Sequence, residues 1–350
     1  MEIKVRKGGA RDLPFVRTLV AKKEFYTFPG RGLDSRTMRL RFLEIYRLSE
    51  GEIEEGRKTC LFIAEGDGEP LGYCVPVPGL KESITDEPQC WLFDWGVASG
   101  GDPITVMKAL VDSCRDLARS LDIPYLATRA PHDSGADRET LQALGFWEDI
   151  FLIIKSTDAP SPASPPITPP SFASPLPPDL PPQGGGGKGE RAARRAKPED
   201  AGFISDLNQE SIEDLIPKGR DVDLSIVKKR YRYTYAQLGA WFQEDPHFFG
   251  FVVESEGVPA GYILIKEKLT DEFTGQEQGY IYDMAIRKES RGKYLGLSLH
   301  GSAVKELKRR GGRLITGEIS ASNRRALLPA IRHLGFKIER CRMVVRTGRR

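Results

Sequence analysis

The sequence predicts a mixed α/β fold, built as two similar domains joined by a linker rich in proline and glycine. One observation is an internal repeat: 62–73 aligns with 251–262 at an offset of 189, and six of the twelve positions are identical. A second is the segment 157–183, which holds 11 of the 25 prolines and is followed by four glycines at 184–187. The third is the alternation of strand-like and helix-like apolar patterns, which favours a mixed sheet covered by helices.

The repeat extends through most of both copies. At the same offset Trp91–Val97 aligns with Tyr280–Ile286, and at an offset of 190 Leu144–Phe146 aligns with Leu334–Phe336. A nearly constant offset indicates a duplicated unit.

The duplication sets the domain boundaries. We predict one domain at 1–156, a disordered linker at 157–190 and a second domain at 191–350. Repeated prolines remove backbone donors and favour polyproline II, so no core can form in the linker. A ligand for a proline-recognition domain is the alternative interpretation of that stretch.

Each copy begins with helical segments. The first helix pattern starts near Arg11 and Asp12 in one copy and near Pro198 in the other, where proline suits a helix start. A second helical stretch is predicted at Ser35–Leu48 and at Leu224–Phe242.

Strands and a long helix follow in the same order in both copies. The predicted segments are a hairpin at 61–77 and 248–266, a strand at 91–97 and 280–286, and an amphipathic helix at 104–121 and 295–310. Each unit then closes with a strand, a short helix and a last strand, which we place at Asp149–Lys155 and Lys337–Arg346.

Composition narrows the class of protein. The net charge of +3 is too small to favour nucleic acid as a partner. Five scattered cysteines without a C-x-x-C pair argue against a disulfide framework or a zinc site and suit a reducing compartment. We find no signal-peptide core, and no apolar run approaches the roughly 18 residues that span a bilayer. We therefore expect a cytoplasmic protein without a membrane partner.

The segment with the clearest chemical meaning is Arg291–Gly296, RGKYLG. It follows the apolar run Gly279–Ile286 and opens a helical pattern that ends at Gly311 and Gly312. The backbone N–H groups of such a turn point outwards, and the helix dipole favours negative charge there. The pattern therefore predicts a site for a phosphate-bearing ligand in the second copy.

With this loop the chain resembles the GNAT superfamily of N-acetyltransferases, in a tandem arrangement. In that family a strand is followed after a few residues by Q/R-x-x-G-x-G/A, which Ile286 and Arg291–Gly296 resemble. A later Asn, a short helix and a Gly-Phe pair resemble Asn323, Gly335 and Phe336. The resemblance covers both copies, and the order of these elements is more specific than the loop alone.

The resemblance implies transfer of an acetyl group from acetyl-CoA to a primary amine by direct attack in the C-terminal domain. The loop amides would hold the diphosphate, with charge added by Arg291 and Lys293, and the strand ending at Ile286 would pair with the pantetheine. No metal is implied. The implied cofactor-binding residues are Ala285, Ile286, Arg287, Arg291, Gly292, Lys293, Tyr294, Leu295, Gly296, Leu297 and Asn323.

Asp283 is the candidate catalytic residue because many family members carry an acid three residues before the position of Ile286. It would act as a base through water or orient the amine. A structural role is the alternative, since Asp94 occupies the matching place in the first copy. Tyr280 and Tyr282, on the same strand, either line the acceptor cleft or pack in the core.

Two departures from the family pattern bear on activity. Tyr294 stands where the family has a glycine, so phosphate binding requires a backbone angle compatible with a side chain. The family's frequent general-acid tyrosine maps to Ala330 or Ile331, neither of which can donate a proton. Water, the coenzyme thiol or another side chain would have to serve.

The first copy lacks the phosphate loop. Asp102 replaces the arginine, Pro103 removes one amide, and Asp133 stands roughly where Asn323 does. Because an acid repels a diphosphate, we expect this degenerate copy to bind acetyl-CoA poorly or not at all.

The acceptor, a small-molecule or peptide amine, is not identified by the sequence, and neither is the oligomeric state. Two alternatives to an acetyltransferase stay open. One is a catalytically inactive sensor or scaffold that binds acyl-CoA, and the other is a transferase that uses a longer acyl-CoA.

Overall fold

The computed structural model describes residues 2–23, 29–34, 36–41, 51, 60–132, 134–158 and 193–348. The N-terminal half (2–158) has the predicted order of elements. They are β1 (Ile3–Lys7), α1 (Leu13–Ala21), α2 (36–41), β2 (Phe62–Gly66), β3 (Glu69–Lys81), β4 (Pro88–Val97), α3 (Pro103–Ser120), β5 (Tyr125–Pro131), α4 (Gly135–Ala143) and β6 (Trp147–Ser156).

The C-terminal half (193–348) repeats this order. Its elements are β7 (Arg194–Arg195), α5 (Ala201–Leu215), α6 (Leu224–Tyr235), α7 (Leu238–Glu244), β8 (Phe248–Ser255), β9 (Val258–Thr270), β10 (Glu277–Ile286), α8 (Leu295–Arg309), β11 (Leu314–Ser320), α9 (Arg324–Arg332) and β12 (Lys337–Arg346). The mixed α/β fold is confirmed in both halves.

Some predictions differ in detail or fall outside the described residues. The stretch predicted as one helix at 224–242 is two helices, α6 and α7, which are separated at Ala236 and Gln237. Most of the predicted helix 35–48, Asp133 and the predicted linker beyond Asp158 lie outside the described residues. Thr157, placed in the linker from the sequence, donates from its backbone N–H to Arg313 O over 2.9 Å.

The two halves share one twelve-stranded sheet, in which they exchange their last strands. The strand order is β1-β2-β3-β4-β5-β12-β6-β11-β10-β9-β8-β7. β12 of the C-terminal half pairs antiparallel with β5, while β6 of the N-terminal half pairs antiparallel with β11. The two exchanged strands also pair with each other at the centre. Domain packing, which the sequence left open, is therefore fixed by backbone hydrogen bonds.

Helices cover both faces of the sheet. On one face α3, α4, α8 and α9 bury a continuous apolar core that runs through both halves. The opposite face, which we call the acceptor face, carries three separate clusters, under α1, over the central strands and under α5–α7.

Two buried arginines at matching positions fasten each half to the other. Arg31 donates to Glu339 through Nε and Nη2, over 2.6 and 2.8 Å. Arg220, 189 residues later, donates to Asp149 through the same two nitrogens, over 3.1 and 2.7 Å. Both guanidinium groups are inaccessible to solvent. The pairs are reciprocal, as expected for a duplicated unit arranged about a pseudo-twofold axis.

Candidate active site

The middle of the C-terminal half contains a gap between neighbouring parallel strands. β10 and β11 pair only at Gly279 with Ile315, Tyr280 with Thr316 and Ile281 with Gly317. On its other edge β10 stays paired with β9 as far as Ile286, with an irregularity between Ile281 and Asp283. The end of β10 therefore offers backbone groups towards the gap that β11 does not engage. β4 and β5 separate in the same way after three pairs.

The N-terminus of α8 faces this gap and carries the predicted phosphate loop. Tyr294, at the N-cap, has φ 58° and ψ 15°, the left-handed conformation in which glycine is usual, and no side chain in the described part of the protein caps the helix. Its side chain is 57% exposed and therefore does not fill the loop. Gly292 also has a positive φ, 80°. Tyr294 therefore has a glycine-like backbone, and among the described residues no side chain caps the first amides of α8.

The corresponding helix in the N-terminal half is capped by its own side chain. Asp102 Oδ2 accepts from the backbone N–H of Thr105 over 3.0 Å and also from the Thr105 hydroxyl. These bonds lower the pKa of Asp102, so its carboxylate stays negatively charged. At the N-terminus of α3 a carboxylate therefore already occupies the position at which the N-terminus of α8 could bind an anion.

Three basic side chains lie near the loop, each with a partner. Arg291 donates to Asp214 Oδ2 and to Ile286 O, both over 3.2 Å. Lys293 Nζ lies 4.0 Å from Glu256. Arg287 donates to Pro259 O over 3.2 Å and stacks on Phe203.

Apolar packing places α8 close to β10. A Cβ atom at Gly296 would lie 3.2 Å from Met284 Cε and 3.4 Å from Ile286 Cδ1. Leu295 and Ala285 are buried, whereas Leu297 is 38% exposed. Glycine at 296 thus allows the helix N-terminus to approach the strand end.

The later predicted element has the expected local structure. Asn323 caps α9 by accepting from the backbone N–H of Ala326 over 3.1 Å. Ala330 is buried in the core, and Ile331 packs against the same core. α9 therefore presents no hydroxyl at either position to which the family tyrosine maps.

Asp283 lies buried at the irregularity of β10, held by four donors. Its Oδ2 accepts from Asn208 over 2.9 Å and from the hydroxyls of Tyr235 and Tyr262. Its Oδ1 accepts from the backbone N–H of Met284 over 2.7 Å. Burial, and after it the Asp283 charge, raises the pKa of both tyrosines well above the usual value, so they remain donors. Asp94 in the N-terminal half is bonded instead by Tyr73 and Lys23.

Several polar groups near the gap were not singled out from the sequence. The side chain of Glu318 on β11 forms no hydrogen bond or ion pair with any described residue, although its backbone pairs with Leu152 of β6. Asn208 Oδ1 and both polar side-chain atoms of Gln209 are buried without a hydrogen-bond partner among the described residues. Asn208 and Gln209 belong to α5, which contacts β10 and β11. For this segment the sequence had predicted only that a helix starts near Pro198.

An open cavity of about 1170 Å³ is lined mainly by the N-terminal half. It extends from α1 along the gap between β4 and β5 to the central strands, where Arg129, Phe273 and Glu318 border it. The N-terminal half, in which Asp102 caps the helix, therefore still contains open space. Among the described residues no group of three or more His, Cys, Asp or Glu side chains is placed to hold a metal ion. None of the described helices has both the length and the apolar character that crossing a bilayer requires.

Residues 217–336 match the acetyltransferase (GNAT) family. The C-terminal half contains a GNAT domain. The match includes the gap, the α8 loop and the cap of α9. A GNAT domain indicates an acyltransferase, and the family typically uses an acyl-CoA donor.

The fold of the whole chain is similar to solved GNAT structures. A GCN5-related N-acetyltransferase from Sphaerobacter thermophilus aligns over 99% of this chain and 96% of its own, with 18% identity and a TM-score of 0.50. A tandem GNAT protein from the clavulanic acid biosynthesis pathway aligns over 100% of both chains, with 15% identity and a TM-score of 0.44. No curated protein matches the sequence significantly.

Proposed function

We propose that the C-terminal GNAT domain transfers an acetyl group from acetyl-CoA to a primary amine on a small molecule or peptide. The supporting observation is the contrast between the uncapped N-terminus of α8 and the carboxylate-capped N-terminus of α3. An uncapped helix end attracts a diphosphate, whereas one filled by Asp102 repels it. The N-terminal half is, in this proposal, a degenerate copy that does not bind the donor.

The donor would lie along α8 and β10. The backbone amides at 291–297 would hold the diphosphate, and Arg291 would exchange Asp214 for a phosphate oxygen. The edge of β10 at Ala285 and Ile286, which β11 does not engage, would pair with the pantetheine amides, and Arg287 would follow at the end of the strand. Asn323 at the start of α9 would border the coenzyme.

In the reaction an acceptor that arrives as an ammonium first gives up one proton to water. The neutral amine nitrogen then attacks the thioester carbonyl carbon and the C–S bond breaks. The nitrogen loses its second proton as the amide forms, and the coenzyme leaves as a thiolate that takes up a proton. Asp283 is the proposed catalytic residue, placed at the irregularity of β10 where the gap opens. Its four donors hold the carboxylate in one position. A fixed carboxylate is suited to orienting the amine, either directly or through water. A side chain of α9 cannot serve as the acid.

The proposal is tested by donor binding and turnover. We expect acetyl-CoA to bind by calorimetry and to release thiol with members of a panel of amino sugars, polyamines, amino acids and peptides. Replacing Arg291 with Ala and Gly296 with Val together should abolish binding, because charge and close approach are both lost. The matched control is Asp102→Asn, which should leave donor affinity unchanged. Unchanged affinity in the double variant would disprove the site.

The absence of a hydroxyl on α9 favours one second candidate, a protein that binds acyl-CoA without turning it over. Binding with no thiol release across the whole panel would support that function. Repeating the assay with longer acyl-CoA donors distinguishes a transferase of different donor length. All five cysteines are free thiols, which suits the cytoplasmic location that we propose.

A further inference from the structure

Glu318 lies on the acceptor face at the point where the gap opens. Gly317, its neighbour, is the last residue of β11 that pairs with β10, opposite Ile281. Alternation along the strand places Glu318 on the same face as Thr316, which is opposite Tyr280. Ile281 and Ile315 belong to the core on the other face. The Glu318 carboxylate therefore stands beside Tyr280, on the side from which an acceptor would approach.

The carboxylate of Glu318 differs from the other acids around the central strands. Those acids are each bonded to an arginine, in the pairs Glu82 with Arg342, Asp149 with Arg220, Asp271 with Arg340, and Glu339 with Arg31. The side chain of Glu318 has no hydrogen bond or ion pair to any described residue. A partly buried carboxylate without a direct hydrogen-bonded partner is a place where the cation of a ligand can bind.

Two nearby cations, Arg129 and Arg342, attract the Glu318 carboxylate, but neither forms an ion pair with it. Arg129 forms an ion pair with Glu272, and its guanidinium lies 5.0 Å from the ring centroids of both Trp91 and Phe273. Arg342 donates to Glu82 over 2.6 Å and to Asp149 over 2.8 Å. Both arginines bond directly to other acids, so they attract Glu318 only over a longer distance.

The duplication provides an internal comparison. Glu318 and Arg129 are related by the offset of 189, so an acid in the C-terminal half occupies the place of a base in the N-terminal half. Only the half with the uncapped helix has the acid. The charge at this position therefore distinguishes the two gaps.

Space for a ligand extends away from Glu318. The carboxylate borders the cavity of about 1170 Å³, which continues over the central strands towards Trp91 and Phe273. From β11 to β5 are three strand spacings, about 14 Å. An elongated molecule with an apolar or aromatic body fits this path better than a compact one.

We propose that Glu318 binds the ammonium group of the acceptor at the mouth of the gap between β10 and β11, and that the body of the acceptor extends across the central strands into the cavity. The acceptor class is thus an elongated, cationic primary amine. This inference rests on the proposed acetyl transfer and specifies its second substrate.

The test compares full-length wild type with Glu318→Gln and Glu318→Lys. The probes are hexylamine, phenethylamine, tryptamine and spermidine, with hexanol, phenylethanol and tryptophol as uncharged counterparts. Two measurements are made: the rise in Tm caused by each probe alone, and the KM of the best amine in the thiol-release assay. Glu139→Gln, which removes an exposed acid of α4 outside the cavity, is the matched control.

We expect amines but not alcohols to raise the Tm of the wild type and of Glu139→Gln, and neither Glu318 variant to respond. The KM of the amine should rise on the order of 10- to 100-fold in Glu318→Gln, with acetyl-CoA affinity unchanged. Equal responses of wild type and both Glu318 variants to amines, or no amine response in any of them, would overturn the inference. Failure of wild type to bind acetyl-CoA would instead disprove the proposed function, and the Tm comparison would still decide the role of Glu318.

Discussion

Tyr294 holds a conformation that costs a residue with a side chain about 1–2 kcal/mol. The family pattern has glycine there, and the structure keeps the glycine-like angles while turning the ring out to solvent. What the coenzyme would meet is therefore the backbone N–H rather than the phenol. A sequence alone gives the residue type but not φ, so the sequence left open whether this tyrosine closes the loop.

We predict that Tyr294→Gly is more stable than Tyr294→Ala by about 0.5–1 kcal/mol, because only the alanine retains a Cβ in the left-handed region. Urea unfolding measures the difference. Acetyl-CoA affinity of Tyr294→Gly should stay within about twofold of wild type, since the amide donors remain. Equal stability of the two variants would show that the backbone is not strained at this position.

At the scale of elements, the site depends on the contact between α8 and β10. We predict that Gly296→Val lowers acetyl-CoA affinity at least tenfold, because its side chain would push the helix N-terminus away from Met284 and Ile286. Adding Met284→Ala should recover part of the loss by making room. Calorimetry gives both affinities.

Gly301 provides the control for this prediction. It lies in the same helix, and a Cβ atom there would meet nothing within 4 Å. Gly301→Val should leave affinity unchanged, so a loss equal to that of Gly296→Val would refute the packing argument.

The order of elements could be predicted from the sequence because periodicity and the repeat are local signals. The surroundings of Asp283 could not, since its donors come from Asn208, Tyr235 and Tyr262 on three separate elements. Glu318 was equally hidden, because an unpaired carboxylate is recognised only when its neighbours are known. One signal of contact between the halves was present in the sequence. It consists of matching arginines at 31 and 220 and matching acids at 149 and 339, which are offset by 190.

At the scale of the whole molecule, the exchange of β6 and β12 escaped prediction for a physical reason. The duplicated halves offer two equivalent edges, on β5 and β11, and an apolar strand such as β6 suits either one. The local sequence pattern therefore predicts that β6 is a strand but does not predict which strand it pairs with.

The exchange predicts that cutting the chain between the halves does not separate them. A protease site introduced within 159–192 and then cleaved should leave one particle of about 39 kDa by size exclusion under native conditions. Each fragment keeps a strand in the sheet of the other, and the buried pairs of Arg31 and Arg220 add to the attachment. Separate elution of the fragments without denaturant would contradict the strand order.

The shared sheet also determines when each strand can pair with its neighbours during synthesis on the ribosome. β5 emerges with its neighbour β12 still unmade, and β6 waits for β11, about 160 residues further along the chain. At roughly 5–20 residues per second, the nascent N-terminal half waits on the order of 8–30 seconds with an open strand edge. An open strand edge can pair with another chain, so misassembly is most frequent during this interval. Slower translation over residues 157–313 would therefore lower the yield of folded protein most.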